Sequence, residues 1–219
     1  MSAIKAVTAP GTDVQGIPSK TLDLLEKFQF KQLMHDEIYH SDICLLRTQA
    51  RIAHHTLHLG KYSGKMAQAL IAKEGVDTPA MVNTVLDALI IVMSSANTLN
   101  LPLWKIPGIQ TDLQAAIDGK QESGDEQAHI LGFVIIVGKL AKAVEALDHV
   151  ESFDSRTAYE HSLKALLILL LKFWRTVTNK KLEDALAARM VGIESKHMYY
   201  NRLQKYVDDY RKPAAGNYR

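Results

Sequence analysis

A chain of 219 residues with 47% hydrophobic and 23% charged residues, and only 12 Gly and 6 Pro, has the composition of a globular protein that can bury a core without staples. Its 26 basic and 24 acidic residues are spread along the chain and leave a formal charge of +2, which excludes an extended basic stripe, so nucleic acid is not expected as a partner. The single cysteine, Cys44, can close no intramolecular disulfide, and the N-terminus lacks a basic segment followed by an apolar run, so a cytoplasmic protein is expected. Residues 1–19 carry Pro10, Gly11, Gly16 and Pro18 with no apolar periodicity and read as a flexible arm. From Thr21 to about Leu46 the apolar positions Leu22, Leu25, Phe28, Leu33, Ile38 and Cys44/Leu45 predict a helix with one buried face. A second helix is predicted from Thr48 to Glu74 on Ile52, Leu57, Leu59, Met66 and Leu70, with Gly75 as its stop. Thr78-Pro79 is an N-cap and first-turn signal for a third, running through Leu86, Leu89, Ile90 and Met93 to about Leu99.

Pro102, Pro107 and Gly108 make residues 101–109 a connector, followed by a short amphipathic helix ending near Gly119 and a polar linker over 120–125. Two strongly apolar helices follow, from Asp125 to about His149 and from an Asp154 N-cap to about Asn179. The last helix is predicted from Lys181 to about Tyr210, with Leu186, Met190, Ile193, Met198, Leu203 and Val207 as its buried stripe, and the tail after Lys212 reads as loose. No segment alternates with period two, so the fold class is all-α. The longest unbroken apolar runs, Ala165 to Leu171 and Ile130 to Gly138, fall well short of the roughly 20 residues of a bilayer span, so no membrane segment is expected.

Two echoes divide the chain. Gly64-Lys-Met-Ala-Gln-Ala-Leu70 nearly repeats as Gly138-Lys-Leu-Ala-Lys-Ala-Val144, and Val85-Leu-Asp-Ala-Leu-Ile-Ile-Val92 shares its pattern with Ser162-Leu-Lys-Ala-Leu-Leu-Ile-Leu169. The repeating unit is a helix hairpin, giving a first unit over 20–119 and a second over 120–219, packed as one domain.

The stretch from Asn83 through Asp87, the apolar run, Ala96-Asn97 and Leu99-Asn-Leu-Pro-Leu103 resembles the second helix of the all-α nucleoside triphosphate pyrophosphohydrolases of the MazG and dimeric dUTPase type. The resemblance covers about Arg51 to Leu103 and extends more faintly over Leu131 to Leu186. It implies a MazG-like helical bundle, a nucleotide as ligand, a divalent metal (Mg²⁺, Mn²⁺ or Zn²⁺) as cofactor, and a homo-oligomer. It also puts Asp87 on the family's metal-binding aspartate and Asn97 on its recurrent asparagine. The family's other helix supplies Glu-Glu-x-x-Glu; here His54-His55-Thr-Leu-His58 stands in those places, or Lys61-Tyr-Ser-Gly-Lys65 in a second register. In the second unit the same places hold Ile135, Ile136 and Lys139, with Lys164 at the aspartate position. A triphosphate hydrolase needs Mg²⁺ held by oxygen ligands, which this pattern lacks.

Two candidate sites follow. His54 and His58 lie four apart on one helix face with His55 beside them, a spacing that suits a transition metal if Asp87 or Asp36 from a packed neighbour supplies a third ligand, and that equally suits half-exposed helix histidines. Lys61, Lys65 and Arg51 on the neighbouring surface, with Arg202 and Lys205 in Tyr199-Tyr-Asn-Arg-Leu-Gln-Lys-Tyr206, are candidate phosphate-binding residues; a solvated surface is the alternative for both groups. Two functions fit: a divergent nucleotide pyrophosphohydrolase with a degenerate metal site, and a catalytically inactive regulatory or binding bundle. They differ in whether His54, His58 and Asp87 converge.

Overall fold

The computed structural model of the chain describes residues 19–72, 75–149 and 152–211. The predicted arm over 1–18 and the tail after Lys212 lie outside them, as does the side chain of Val207. The described residues are helical throughout, without strands: α1 (Ser19–Tyr39), α2 (Ser41–Cys44), α3 (Thr48–Ile71), α4 (Pro79–Thr98), α5 (Ile109–Ile117), α6 (Glu126–Glu145), α7 (Ser155–Val177), α8 (Leu182–Glu194) and α9 (Tyr200–Arg211), with a 3-10 turn at Leu103–Lys105 in the connector.

The helix starts follow the caps. Thr78 accepts from the Met81 amide at 3.2 Å, Asp125 from Ala128 at 2.9 Å and Asp154 from Thr157 at 3.1 Å, each satisfying an otherwise orphaned first-turn N–H. Two of the ends are Schellman motifs. Asn100 (φ 54°) closes α4, with Leu101 N–H donating to Ala96 O at 2.8 Å, and Gly119 (φ 67°) closes α5, with Lys120 N–H donating to Ala115 O at 3.0 Å. At Gly119 a side chain would also collide, since a Cβ there would stand 2.5 Å from Asn179 O.

The frame is four long helices in a ring: α3 packs on α4 and α6, and α7 packs on α6 and α4. Leu59 and Met66 of α3, Val85 and Ala88 of α4, Phe133 and Leu140 of α6, and Leu163, Leu166 and Trp174 of α7 fill its interior. Each of the larger apolar side chains contributes roughly 2 kcal/mol through burial. Trp174 is fully enclosed and spends its indole N–H on Lys180 O at 3.1 Å. Across the ring the Tyr159 hydroxyl meets Thr56 Oγ1 at 3.3 Å. α1 lies over α4 and the connector, where Gln29 donates to Leu101 O at 2.8 Å and accepts from Leu103 N–H at 3.1 Å. Asn97, the recurrent asparagine of the resemblance, donates to Gln29 O at 3.0 Å and so serves this docking.

Three sequence expectations change. The first helix breaks at His40 (φ −132°, ψ 40°), so that α2 turns off as a separate short helix; His-Ser-Asp at 40–42 holds residues that compete with the helical ladder, without the Gly or Pro that would announce a stop. The last helix divides at 195–199, where the Tyr199 amide donates to His197 Nδ1 at 3.2 Å, and Met198, expected in a buried stripe, is 81% exposed. Leu57 and Leu45, both expected on buried faces, are 74% and 87% exposed. Length and composition also make α4 and α6 sufficient to cross a membrane, which a search for unbroken apolar runs passes over. α4 spends that apolarity in the bundle core, whereas α6 turns Leu131, Val134 and Ile135 outward.

Candidate functional site

One face of α3 presents Arg51, His54, His55 and His58, at spacings of three, four and seven residues. Opposite it stand Asp36 near the end of α1, His40 in the break, Asp42 and Cys44 of α2, and Ser94 of α4; together they line a cavity of 290 Å³. The break after Tyr39 begins α2 as a separate helix, and its Asp42, Ile43 and Cys44 line this cavity.

Asp36 is the buried carboxylate of the cavity. Gln32 Nε2 donates to its Oδ1 at 2.8 Å and Ser94 Oγ to its Oδ2 at 2.6 Å. Burial pushes its pKa above the usual carboxylate range, and the Ser94 and Gln32 hydrogen bonds work against that rise. The imidazoles move the other way. Burial, reinforced by His54 and Arg51, lowers His55 to about 3, and burial with Lys61 and His54 lowers His58 to about 4. His40 is also lowered, by burial and by His35. At neutral pH His55 and His58 are therefore uncharged, with ring nitrogens able to accept. The His54 and His58 rings are 4.7 Å apart between centroids. Burial raises the Cys44 thiol, whose sulfur sits 3.8 Å from an Arg51 nitrogen. Two buried atoms of residues that line this cavity, His55 Nδ1 and Arg51 Nε, have no hydrogen-bond partner among the described residues.

Asp87 lies in a different cavity, of 460 Å³, lined by Lys65, Gln68, Thr78, Asn83, Thr84 and Arg189 among others. Arg189 of α8 grips it with two parallel bonds, Nε to Oδ1 at 2.7 Å and Nη2 to Oδ2 at 2.8 Å. The pair raises the Arg189 pKa, and Tyr62, buried beside it, is pushed up to about 12 by burial and then by the Asp87 charge. A guanidinium thus occupies both oxygens of the aspartate that the resemblance assigns to a metal, and no second carboxylate lines that cavity. These residues do not fit Mg²⁺.

The structure therefore brings His54, His55 and His58 together and puts Asp87 elsewhere. Lys61 lines neither cavity, its Nζ lying 3.4 Å from His58 Nδ1 and 4.9 Å from the Tyr62 ring centroid, and Lys65 lines the Asp87 cavity. Arg202 and Lys205 are exposed on α9 and line neither cavity. Sequence reasoning missed Arg189, which lies 102 residues from Asp87 on a separate helix, and the roles of His40, Asp42 and Ser94. Among these only Ser94 left a sequence trace, as one of two polar residues inside an apolar run. Among the described residues, no group of three or more His, Cys, Asp or Glu side chains is placed to hold a metal ion, so the histidines of α3 are together on one helix without forming the metal site expected of them. Comparison of the chain with protein-family models, characterised proteins and solved structures gives no match.

Proposed function

We propose that this chain is a MazG-like helical bundle that binds a nucleotide without hydrolysing it, a regulatory or binding protein in the cavity between α3, α4 and α8. The observation that carries the reading is the Asp87–Arg189 pair: an internal cation takes the charge of the carboxylate that a hydrolase would commit to its metal. The cavity volume of 460 Å³ lies in the range of small-molecule sites. Lys65 lines it, and the guanidinium of Arg189 has five N–H donors, of which Asp87 engages two, so both residues suit a phosphate. Thr78, Asn83 and Thr84 add polar groups for a sugar or base edge. Catalysis by this site would require a divalent ion bridging phosphate oxygens, for which it has one carboxylate, already paired.

The test is a panel of nucleoside and deoxynucleoside triphosphates measured for binding by calorimetry and for pyrophosphate release with Mg²⁺, Mn²⁺ and Zn²⁺ in parallel. Saturable binding that weakens at least about tenfold in Lys65→Ala, without turnover, is expected, an effect equal to about 1.4 kcal/mol. Pyrophosphate release that vanishes in Asp87→Ala would make the chain a hydrolase instead. Absence of binding by any triphosphate would remove the nucleotide from the proposal.

A further inference from the structure

The Asp87 cavity has a neighbour. A second cavity, of 480 Å³, lies between α4 and α8 and shares Asn83 and Arg189 with the first, of 460 Å³. We infer that the two are halves of one groove that takes a dinucleotide, two nucleosides joined through their phosphates, with the phosphate bridge at Arg189 and one nucleoside in each cavity. This inference deepens the nucleotide-binding reading and rests on it.

Three observations carry it. The first is adjacency. Ala80, Thr84 and Asp87 of α4 line the first cavity, Val82 and Leu86 line the second, and Asn83 lines both, so the cavities flank the same stretch of about two helical turns. The second is the junction. Arg189 also lines both cavities, and Asp87 takes its Nε and Nη2 at 2.7 and 2.8 Å. Its Nη1 has no hydrogen-bond partner among the described residues, which leaves a cation held in place by one carboxylate with donors to spare for a phosphate.

The third is the chemistry of the two halves. In the first, Lys65 and Arg189 stand against Asp87; in the second, Lys180, Lys181 and Arg189 stand against Asp184. The balance is positive on each side of the junction, as a polyanionic bridge requires. Each half also has an apolar wall for a base or sugar, from Ala69, Ala80 and Met81 in the first and Val82, Leu86 and Ala185 in the second. A single nucleoside triphosphate covers one wall and leaves the other bare, because a phosphate tail has use only for the lysines. Two tethered nucleosides cover both, and the second contact, once the first is made, is intramolecular and multiplies the affinity.

The experiment is calorimetry on the full chain, without added divalent metal, using adenosine, guanosine and uridine triphosphates and the corresponding dinucleoside tetraphosphates. A dinucleoside tetraphosphate should bind one per chain and at least about tenfold more tightly than its own triphosphate. Ala188 is exposed and lines the second cavity alone, so Ala188→Trp should fill that half, weaken the dinucleotide at least about tenfold and leave the triphosphate within about twofold. An unchanged far-ultraviolet spectrum and melting temperature verify the fold. Lys180→Ala/Lys181→Ala, which removes only exposed side chains of the second cavity, should give the same split and does not depend on accommodating a tryptophan. A dinucleotide that binds no more tightly than its triphosphate would overturn the inference and leave the mononucleotide reading standing. Equal weakening of both ligands by Ala188→Trp would overturn it too, since the phosphates of one nucleotide would then occupy the second cavity. Absence of binding by every ligand would remove both readings.

Discussion

In the hairpin of α3 and α4, Met66 is fully buried; in the hairpin of α6 and α7, Leu140 stands at the same place in the echoed sequence and is fully buried too. The match continues through the second echo, where Leu86, Leu89 and Ile90 of α4 and Leu163, Leu166 and Leu167 of α7 are all core residues, and Asp87 and Lys164 are both half-buried. Chemistry is where the two hairpins part. Extending the same alignment, His54 and His58 of α3 correspond to Ala128 and Gly132 of α6, and Ser94 of α4 corresponds to Leu171 of α7, which is core. At Gly132 a Cβ would stand 2.7 Å from the Leu169 side chain, so α7 closes onto α6 where α4 and α3 leave room for the imidazole cavity. Packing of the apolar stripe fixes the frame, and a handful of positions beside it decide whether the groove is filled by leucine or lined by polar groups.

The largest effect tests the shared part. Met66→Ala and Leu140→Ala should each cost about 3 to 4 kcal/mol of unfolding free energy, from lost transfer energy and the cavity left behind. Urea denaturation of both variants reads this directly. A large cost in one hairpin with under about 1 kcal/mol in the other would show that the echo is one of sequence and not of load.

The next effect is confined to the polar hairpin. The folded-state pKa of His55 lies at about 3, below its unfolded value of about 6.5, so the unfolded chain binds the extra proton and the stability present above pH 6.5 is lost as pH falls through that window. His58, lowered to about 4, adds in the same direction. Asp36 opposes them, since its raised pKa makes the native state the better proton binder as pH drops towards the usual carboxylate value. Burial sets both shifts first; His54, His58, Arg51 and Lys61 on α3 and His40 beyond α1 add to them, and Asp87 of α4 works against that of His58. From pH 7 to pH 4 His55 alone should remove on the order of 3 kcal/mol, and His55→Leu should flatten that part of the pH profile, whereas Leu140→Ala should lower the whole profile without changing its shape.

A third test sets Asp87 against Lys164, which share a register and differ in partner. Arg189→Ala strands a carboxylate that is 15% exposed at its side chain, and should cost about 2 kcal/mol after discounting for solvent. Lys164→Ala should stay within about 0.5 kcal/mol, as is usual for a substitution that removes no buried partner. Equal costs would mean that the Asp87–Arg189 pair contributes nothing beyond a surface ion pair.

Much of the fold was legible in the sequence because its signals are local. The caps at Thr78, Asp125 and Asp154, the stop at Gly119 and the apolar period of α4 and α7 each act over one or two turns, and each appears where the sequence puts it. The breaks at His40 and after Glu194 were not legible, because neither 40–42 nor 195–199 holds the Gly or Pro that announces a stop, and the polar residues there compete with the helical ladder only weakly. Of the site, the face formed by His54, His55 and His58 follows from helical spacing alone. The partners do not: Arg189 reaches Asp87 from 102 residues away, and Asp36 enters the imidazole cavity through the packing of α1 on α4, so neither pairing has a period or motif to reveal it.

The smallest predicted effect concerns Ser94, the position where the two hairpins differ most simply. Its hydroxyl donates to Asp36 Oδ2 at 2.6 Å, and Ser94→Ala removes one of the two hydrogen bonds given for that carboxylate. A lost bond to a charged acceptor costs more than one to a neutral group, because the protonated acid needs less donation than the carboxylate. The cost should therefore depend on pH: about 1 kcal/mol at pH 7, and less at pH 4, where the raised pKa of Asp36 leaves more of it protonated. Leu171→Ala, at the equivalent place in α7, should cost about 3 kcal/mol at both pH values, since no ionisable group depends on it. A Ser94→Ala cost that is the same at pH 4 and pH 7 would show that Asp36 keeps one protonation state across that range, and so that its carboxyl does not titrate there as the burial-raised pKa predicts.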